Sequence, residues 1–301
     1  MYINFKFLLS VMLLLSLVMP VFSFEPSGGV LVLDGEDDYA ILPLAEHGYI
    51  FPKNTDEFTV EVWFYPMSRP APVQQDIILS QQVVFGLSGH EGSCRGWIGN
   101  KGEVCSYGRA HLEGGARGVR GTNVVIKKDQ WNYLAVIFKD STFHLASNDQ
   151  IVRGQKRAFM NVVAAELFFV EQFKDFFVGG YAEDKVIINQ FGALITRETY
   201  FHGAIDTIRF SNIARYDLPA KLGISPFDPP HRFFTDAHTL ALWDFNEKEG
   251  ADRFEDTSGN GKTLIGMNGA VVMSGGDVGN LEIRPDNSLA TTWGQVKSES
   301  F

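Results

Sequence analysis

The feature that most constrains this chain is an alternation of apolar and mixed residues with a period of two, interrupted by glycine, proline and acidic turns. Between Phe58 and Tyr65, the residues Phe58, Val60, Val62 and Phe64 alternate with Thr59, Glu61, Trp63 and Tyr65, and the run stops at Pro66. That period sends successive side chains to opposite faces of a strand. Similar runs occupy Val30 to Asp34, Tyr39 to Leu44, Asp76 to Ser80, Val83 to Leu87, Val104 to Leu112 and Thr122 to Ile126. They recur at Trp131 to Phe138, Thr142 to Ala146, Phe176 to Val178, Tyr200 to Phe210, Leu240 to Phe245 and Ala270 to Met273. Helical periodicity is weak throughout. Strands of this kind bury their apolar faces by stacking sheet on sheet. The fold expected is all-β, a two-sheet antiparallel sandwich of jelly-roll type. The 25 phenylalanines suit its pleated, half-buried surfaces.

The first 23 residues have the pattern of a signal peptide. Lys6 is the basic n-region, Phe7 to Val18 is almost wholly apolar, and Val21-Phe22-Ser23 offers a cleavage site after Ser23. The other reading, a retained membrane anchor, is weakened by Pro20 and by an apolar run short of a bilayer span. No later stretch is long and apolar enough to span. The chain carries a formal charge of −10, and losing the leader removes only the base Lys6. An acidic exported protein repels phosphate backbones, so nucleic acid is not an expected partner. Export, to the periplasm, the cell surface or beyond, also bears on Cys94 and Cys105, because disulfides persist there. A bridge between them would pin the glycine-containing segment 95–104; two free thiols are the alternative.

The organisation that follows is a signal peptide at 1–23, a domain over 24–273 and a polar tail over 274–301. Within the domain, the core runs over 28–215. Pro219, Pro226, Pro229 and Pro230 mark a connection over 217–235, either a linker or a wrapped loop. A last strand-bearing segment covers 236–273. It is too short to bury a core of its own.

Four phrases stand in a telling order: Leu33-Asp34-Gly35-Glu36-Asp37-Asp38-Tyr39, Phe58-Thr59-Val60-Glu61-Val62-Trp63, Trp131 to Val136, and Gly203-Ala204-Ile205-Asp206-Thr207-Ile208-Arg209. Together they resemble the laminin-G-like branch of the concanavalin A-like lectin/glucanase superfamily over roughly residues 28 to 215. Many such domains place a Leu-x-x-Trp-x-Phe strand and an Asp-x-Ser-Gly-Asn-Gly turn before the first phrase. Here both follow the last one, as Leu240 to Phe245 and Asp256 to Gly261. The resemblance therefore implies a permuted arrangement, with the C-terminal segment returning beside the N-terminal strand. The alternative is the start of a second, truncated domain.

The resemblance also implies a structural calcium where the acidic turns meet the closing strand. Calcium takes six to eight hard oxygens, and Asp37, Asp38, Asp206, Asp256 and Asn260 are donors of that type. The competing reading is that Asp34 and Asp256 cap their own turns and Asp206 pairs with an arginine. Sugar sites on sandwiches combine an aromatic platform with polar partners. Trp97, Tyr107, Arg109, His111 and Glu113 form such a set near the two cysteines, unless Trp97 only covers a disulfide there. Trp63, Trp131 and Trp243 are assigned to the core. Glucanases of this superfamily pair carboxylates on one strand face, whereas Glu61 stands alone on the matching strand. No His-Glu-x-x-His, Gly-x-Ser-x-Gly or phosphate-loop motif occurs. The function expected is non-catalytic recognition of a glycan or glycosylated surface. A protein-interaction or adhesion module comes second and a cryptic glycoside-active enzyme using Glu61 third.

Overall fold

A computed structural model describes residues 24–26, 28–48, 50, 56–67, 76–81, 85–90, 93–94, 104–108, 117–121, 126–140, 142–153, 175–180, 187–188, 194–195 and 200–278. The strands are β1 (Gly29–Asp34), β2 (Tyr39–Leu42), β3 (Phe58–Pro66), β4 (Asp76–Gln81), β5 (Phe85–His90), β6 (Ser93–Cys94) and β7 (Val104–Gly108). They continue with β8 (Arg117–Gly121), β9 (Asn132–Lys139), β10 (Thr142–Ser147), β11 (Gln150–Arg153), β12 (Phe176–Val178), β13 (Ile187–Ile188) and β14 (Leu194–Ile195). The last are β15 (His202–Ser211), β16 (Gly223–Pro226), β17 (Thr239–Trp243), β18 (Arg253–Phe254), β19 (Leu264–Met267) and β20 (Val271–Ser274). Among the described residues these form two nine-stranded antiparallel sheets and a small β13–β14 pair. The first sheet runs β16-β11-β10-β9-β3-β15-β1-β20, with β17 also on β15; the second runs β18-β19-β2-β12-β4-β5-β7-β8, with β6 on β5.

The inner faces meet in one apolar core. Leu31, Leu33, Val60, Val62, Phe64, Val136, Phe138, Ile205, Ile208 and Phe210 from the first sheet pack with Leu42, Leu79, Phe176, Val178 and Leu264 from the second. Trp243 is fully buried among them, with its ring 5.9 Å from that of Phe176 and its indole N–H donating to the Lys262 carbonyl.

The returning segment completes both sheets. β17 lies against β15 with Trp243 opposite Ile208, and β20 lies against β1 with Val272 opposite Leu31. β19 adds to β2 in the second sheet. Phe245 joins Leu31 and Leu33 in the core, although Leu242 points to the outer face instead. Gly28 and Gly29 make this return possible. A β-carbon on Gly29 would sit 2.2 Å from the Phe245 carbonyl, and one on Gly28 would overlap the Asn246 side chain. The Asn246 Oδ1 accepts the Gly29 N–H in that contact. The C-terminal segment therefore returns beside the N-terminal strand, and packing continues to Val278, which is buried against Val30 and Val32.

One local expectation is corrected. Simple alternation puts Ile205 on a face with Thr207 and Arg209. In the structure the pairing of β15 with β3 shifts between Ile205 and Thr207, so Asp206 is an extra residue. This bulge reverses the phase. Ile205, Ile208 and Phe210 all face the core, and Arg209 turns outward. A strand at Arg117–Gly121 pairs with β7, and residues 122–125 of the strand expected at Thr122 to Ile126 lie outside the described residues.

Candidate functional site

The outer face of the first sheet is occupied by the chain itself. Residues 212–238 leave the end of β15, fold back over that face and return into β17, with the Asn212 N–H bonded to the His238 carbonyl at the neck. Inside this strap, β16 adds to the far edge of the sheet at β11. Its prolines mark a wrapped cover, one of the two readings open for residues 217–235. Beneath it lies a second apolar cluster of Trp63, Tyr133, Ile137, Ile151, Phe233 and Leu242, capped by Phe24. Phe24 stacks on Trp63 with ring centres 3.9 Å apart. The Trp63 indole N–H donates to the Pro230 carbonyl at 2.8 Å. So Trp63 does belong to a core, but to this outer one rather than the inter-sheet one.

Glu61 is at the centre of that covered face and is fully buried. Arg209 stands directly opposite on β15. Its guanidinium donates through Nε to the Glu61 Oε1 at 2.7 Å, and its Nη2 forms an ion pair with the same oxygen at 2.7 Å. The other carboxylate oxygen accepts from the Tyr133 hydroxyl at 2.7 Å and from the Tyr216 hydroxyl. Arg209 also donates to the Phe234 carbonyl and sits 4.8 Å from the Phe233 ring. Arg215 bridges outward, holding Asp236 through two 2.8 Å hydrogen bonds. Burial, then the Glu61 carboxylate, pushes both tyrosine hydroxyls well above the ordinary phenol range. The bonds from Arg215 hold Asp236 well below the usual carboxylate range. A carboxylate that is paired and closed off in this way cannot touch a substrate. The Glu61-based hydrolase reading is overturned by this geometry. Sequence reading missed the network because Arg209 and Tyr216 are far from Glu61 in the chain; the usable signal was a lone acid on a strand whose other members, Thr59 apart, are apolar or aromatic.

The acidic residues behave differently at the opposite end of β15. Asp34, Asp37 and Asp38 bring carboxylate oxygens within 4.8 Å of one another. The Asp34 Oδ1 accepts the backbone N–H groups of Glu36, Asp37 and Asp38, so it also shapes its own turn. Tyr39 follows directly. Its ring stacks on Tyr200 at 6.1 Å and lies 5.7 Å from Phe177. Both tyrosines are half-buried. Burial, then the Asp175 and Asp37 carboxylates, raises the Tyr39 hydroxyl above its ordinary value.

The expected five-residue calcium set does not assemble. Asp34 pairs with His202 on β15, whereas Leu242, whose N–H the Asp256 carboxylate holds, pairs with Arg209. Those positions are separated by about 20 Å of strand. Asp256 accepts three backbone N–H groups, from Leu242, Ser258 and Lys262. Asn260 donates to the Thr239 and Leu240 carbonyls and to the Ser258 hydroxyl. These two residues build the turn that anchors β17. Asp206 is buried in its bulge, away from the acidic turn along the strand. Only Asp37 and Asp38 of the set come together, joined by Asp34. Those three fit part of a calcium shell, three hard oxygens from one turn, with room in the shell for other donors.

Of the expected sugar-binding set, Trp97, Arg109, His111 and Glu113 lie outside the described residues. Tyr107 is on β7, paired with Gly86 and Gly118, and its side chain lies outside them too. Cys94 and Cys105 fall on strands that share one edge of β5, with Cys94 opposite Gly89 and Ser106 opposite Leu87. The signal segment 1–23 and the tail from 279 onward also lie outside the described residues.

No family model and no curated protein matches this sequence. Among solved structures, a Bacteroides ovatus protein provisionally described as carbohydrate-binding is similar with a TM-score of 0.46 and 13% identity, over 83% of this chain and 60% of its own. The sialyllactose-bound CBM40 of a Ruminococcus gnavus sialidase is similar with a TM-score of 0.43 and 12% identity, over 64% of this chain and 95% of its own. Mouse laminin alpha1 domains LG4-5 are similar with a TM-score of 0.41 and 10% identity, over 69% and 49%. This chain thus spans about three-fifths of the first of these. These are likenesses of fold alone.

Proposed function

We propose that this chain is an exported, non-catalytic recognition module that binds a glycan or glycosylated surface at the end bearing the acidic turn, with a structural calcium there. The carrying observation is the juxtaposition of Asp34, Asp37 and Asp38 with the stacked, half-buried Tyr39 and Tyr200. A pyranose presents one apolar face and a ring of hydroxyls, and aromatic rings beside clustered oxygens suit both. In this reading calcium neutralises three neighbouring carboxylates and orders the 34–38 turn. Export is supported by the leader-like first residues and by Phe24, the residue after the proposed cut, packing against Trp63. A bridge between Cys94 and Cys105 belongs to the same proposal, as does a second contact surface from Trp97, Tyr107, Arg109, His111 and Glu113.

The test is a glycan array run with calcium and with chelator. Tyr39→Ala and Trp97→Ala then separate the two surfaces. Calcium-dependent binding lost in Tyr39→Ala supports the acidic-turn end. Binding that survives in Tyr39→Ala and vanishes in Trp97→Ala moves the site to the other surface. No glycan bound under either condition overturns the reading. A protein-interaction module is the second reading, favoured by Leu222, Ile224 and Phe234, which are 61%, 42% and 71% exposed on or beside the strap.

A further inference from the structure

Two Asn–Gly steps lie in the returning segment, Asn260–Gly261 and Asn268–Gly269. Such steps are chemically fragile, because glycine leaves its own N–H unobstructed beside the asparagine amide carbon. The two are held very differently. Asn260 gives its side-chain N–H groups to three acceptors, the Thr239 and Leu240 carbonyls and the Ser258 hydroxyl, and its backbone N–H to that hydroxyl as well. Asn268 is exposed at the tip of the turn joining β19 to β20, which the Ala270 N–H closes on the Met267 carbonyl. Its φ is 61°, and that of Gly269 is 129°. Its side-chain Nδ2 donates to the Asp37 carbonyl at 2.9 Å.

We infer that Asn268 is a site of spontaneous deamidation, and that its conversion loosens the acidic turn. The Gly269 nitrogen loses its proton and attacks the Asn268 Cγ. The Cγ–Nδ2 bond breaks, and ammonia leaves carrying that proton. Water then opens the resulting succinimide at either carbonyl, giving aspartate or isoaspartate without any redox change. At Asn260 the same reaction must first free two engaged amide N–H groups, shared among three acceptors, against one at Asn268. At about 1 kcal/mol net for the extra donor, Asn260 reacts about fivefold more slowly. The product at position 268 has a carboxylate where the amide donor was. It can no longer donate to the Asp37 carbonyl, and it adds a like charge beside Asp34, Asp37 and Asp38. The β19–β20 turn thus stops bracing the turn that positions those carboxylates.

The intact chain is incubated in mildly alkaline buffer, and its peptides are followed by mass spectrometry for amide-to-acid conversion. Conversion at Asn268 well ahead of Asn260, and none at position 268 in Asn268→Gln, is expected. Equal rates, or faster loss at Asn260, would overturn the assignment. The second half is read by amide hydrogen exchange on Asn268→Asp. Faster exchange at residues 35–38 than in the parent chain supports the coupling, and unchanged exchange there refutes it. Neither readout depends on whether a glycan or calcium binds.

Discussion

Two regions of this molecule gather carboxylates and tyrosines, and they end in opposite chemistry. Under the strap, Glu61 meets Tyr133, Tyr216 and Arg209, and both carboxylate oxygens are bonded. At the far end of β15, Asp34, Asp37 and Asp38 cluster beside the Tyr39–Tyr200 ring pair. The first group is closed from water and compensated by a cation. The second is partly exposed and sets three carboxylates side by side. Composition alone cannot separate them. Burial and the sign of the neighbours can: a compensated buried carboxylate holds structure together, while like charges left together at a surface favour a cation.

The largest expected effect comes from breaking the compensated side. Glu61→Ala leaves Arg209 buried without its partner and costs about 3–5 kcal/mol of unfolding free energy, read by denaturant titration. A loss below about 1 kcal/mol would mean that water reaches the strap face, as at an exposed ion pair. Next is Tyr216→Phe, which removes one charge-assisted donor while Tyr133 still bonds the same oxygen. It costs about 1.5–3 kcal/mol. The same tyrosines predict the alkaline limb. Their folded pKa values are raised, so their contribution is complete below the unfolded phenol value and is lost as pH rises above about 10. Tyr216→Phe should flatten that limb in a pH series of melting temperatures, and an unchanged limb would assign it elsewhere.

The smallest structural effect belongs to Asp236, whose side chain is 44% exposed beside Arg215. Its folded pKa is lowered, so its contribution is present above the unfolded carboxylate value and fades as pH falls below about 4. Solvent screening keeps Asp236→Asn to about 0.2–1 kcal/mol near neutral pH.

Much of this was legible in the residues. The alternation of Phe58 to Tyr65 names the two faces of β3, and the late position of Leu240 to Phe245 announces the returning segment. Three things were not legible, each for a physical reason. The bulge at Asp206 changes strand phase without any glycine or proline to mark it. The convergence of Asp37 with Asp256 failed because both turns flank β15 but at opposite ends, and only register shows that. The role of Glu61 depends on Tyr216 arriving over it from the strap, a contact across 155 residues. Side chains from distant strands decide which acid is a strut and which is a site.

The contrast between the two regions is tested most directly by calcium-titrated thermal unfolding of the parent chain beside Asp37→Asn and Asp38→Asn. Ligand that binds only the folded state raises the melting temperature. The expected result is a calcium-dependent rise in the parent chain that disappears in both variants. A rise that persists in both variants, or no rise in the parent chain, would contradict the division of labour between the strap face and the acidic turn.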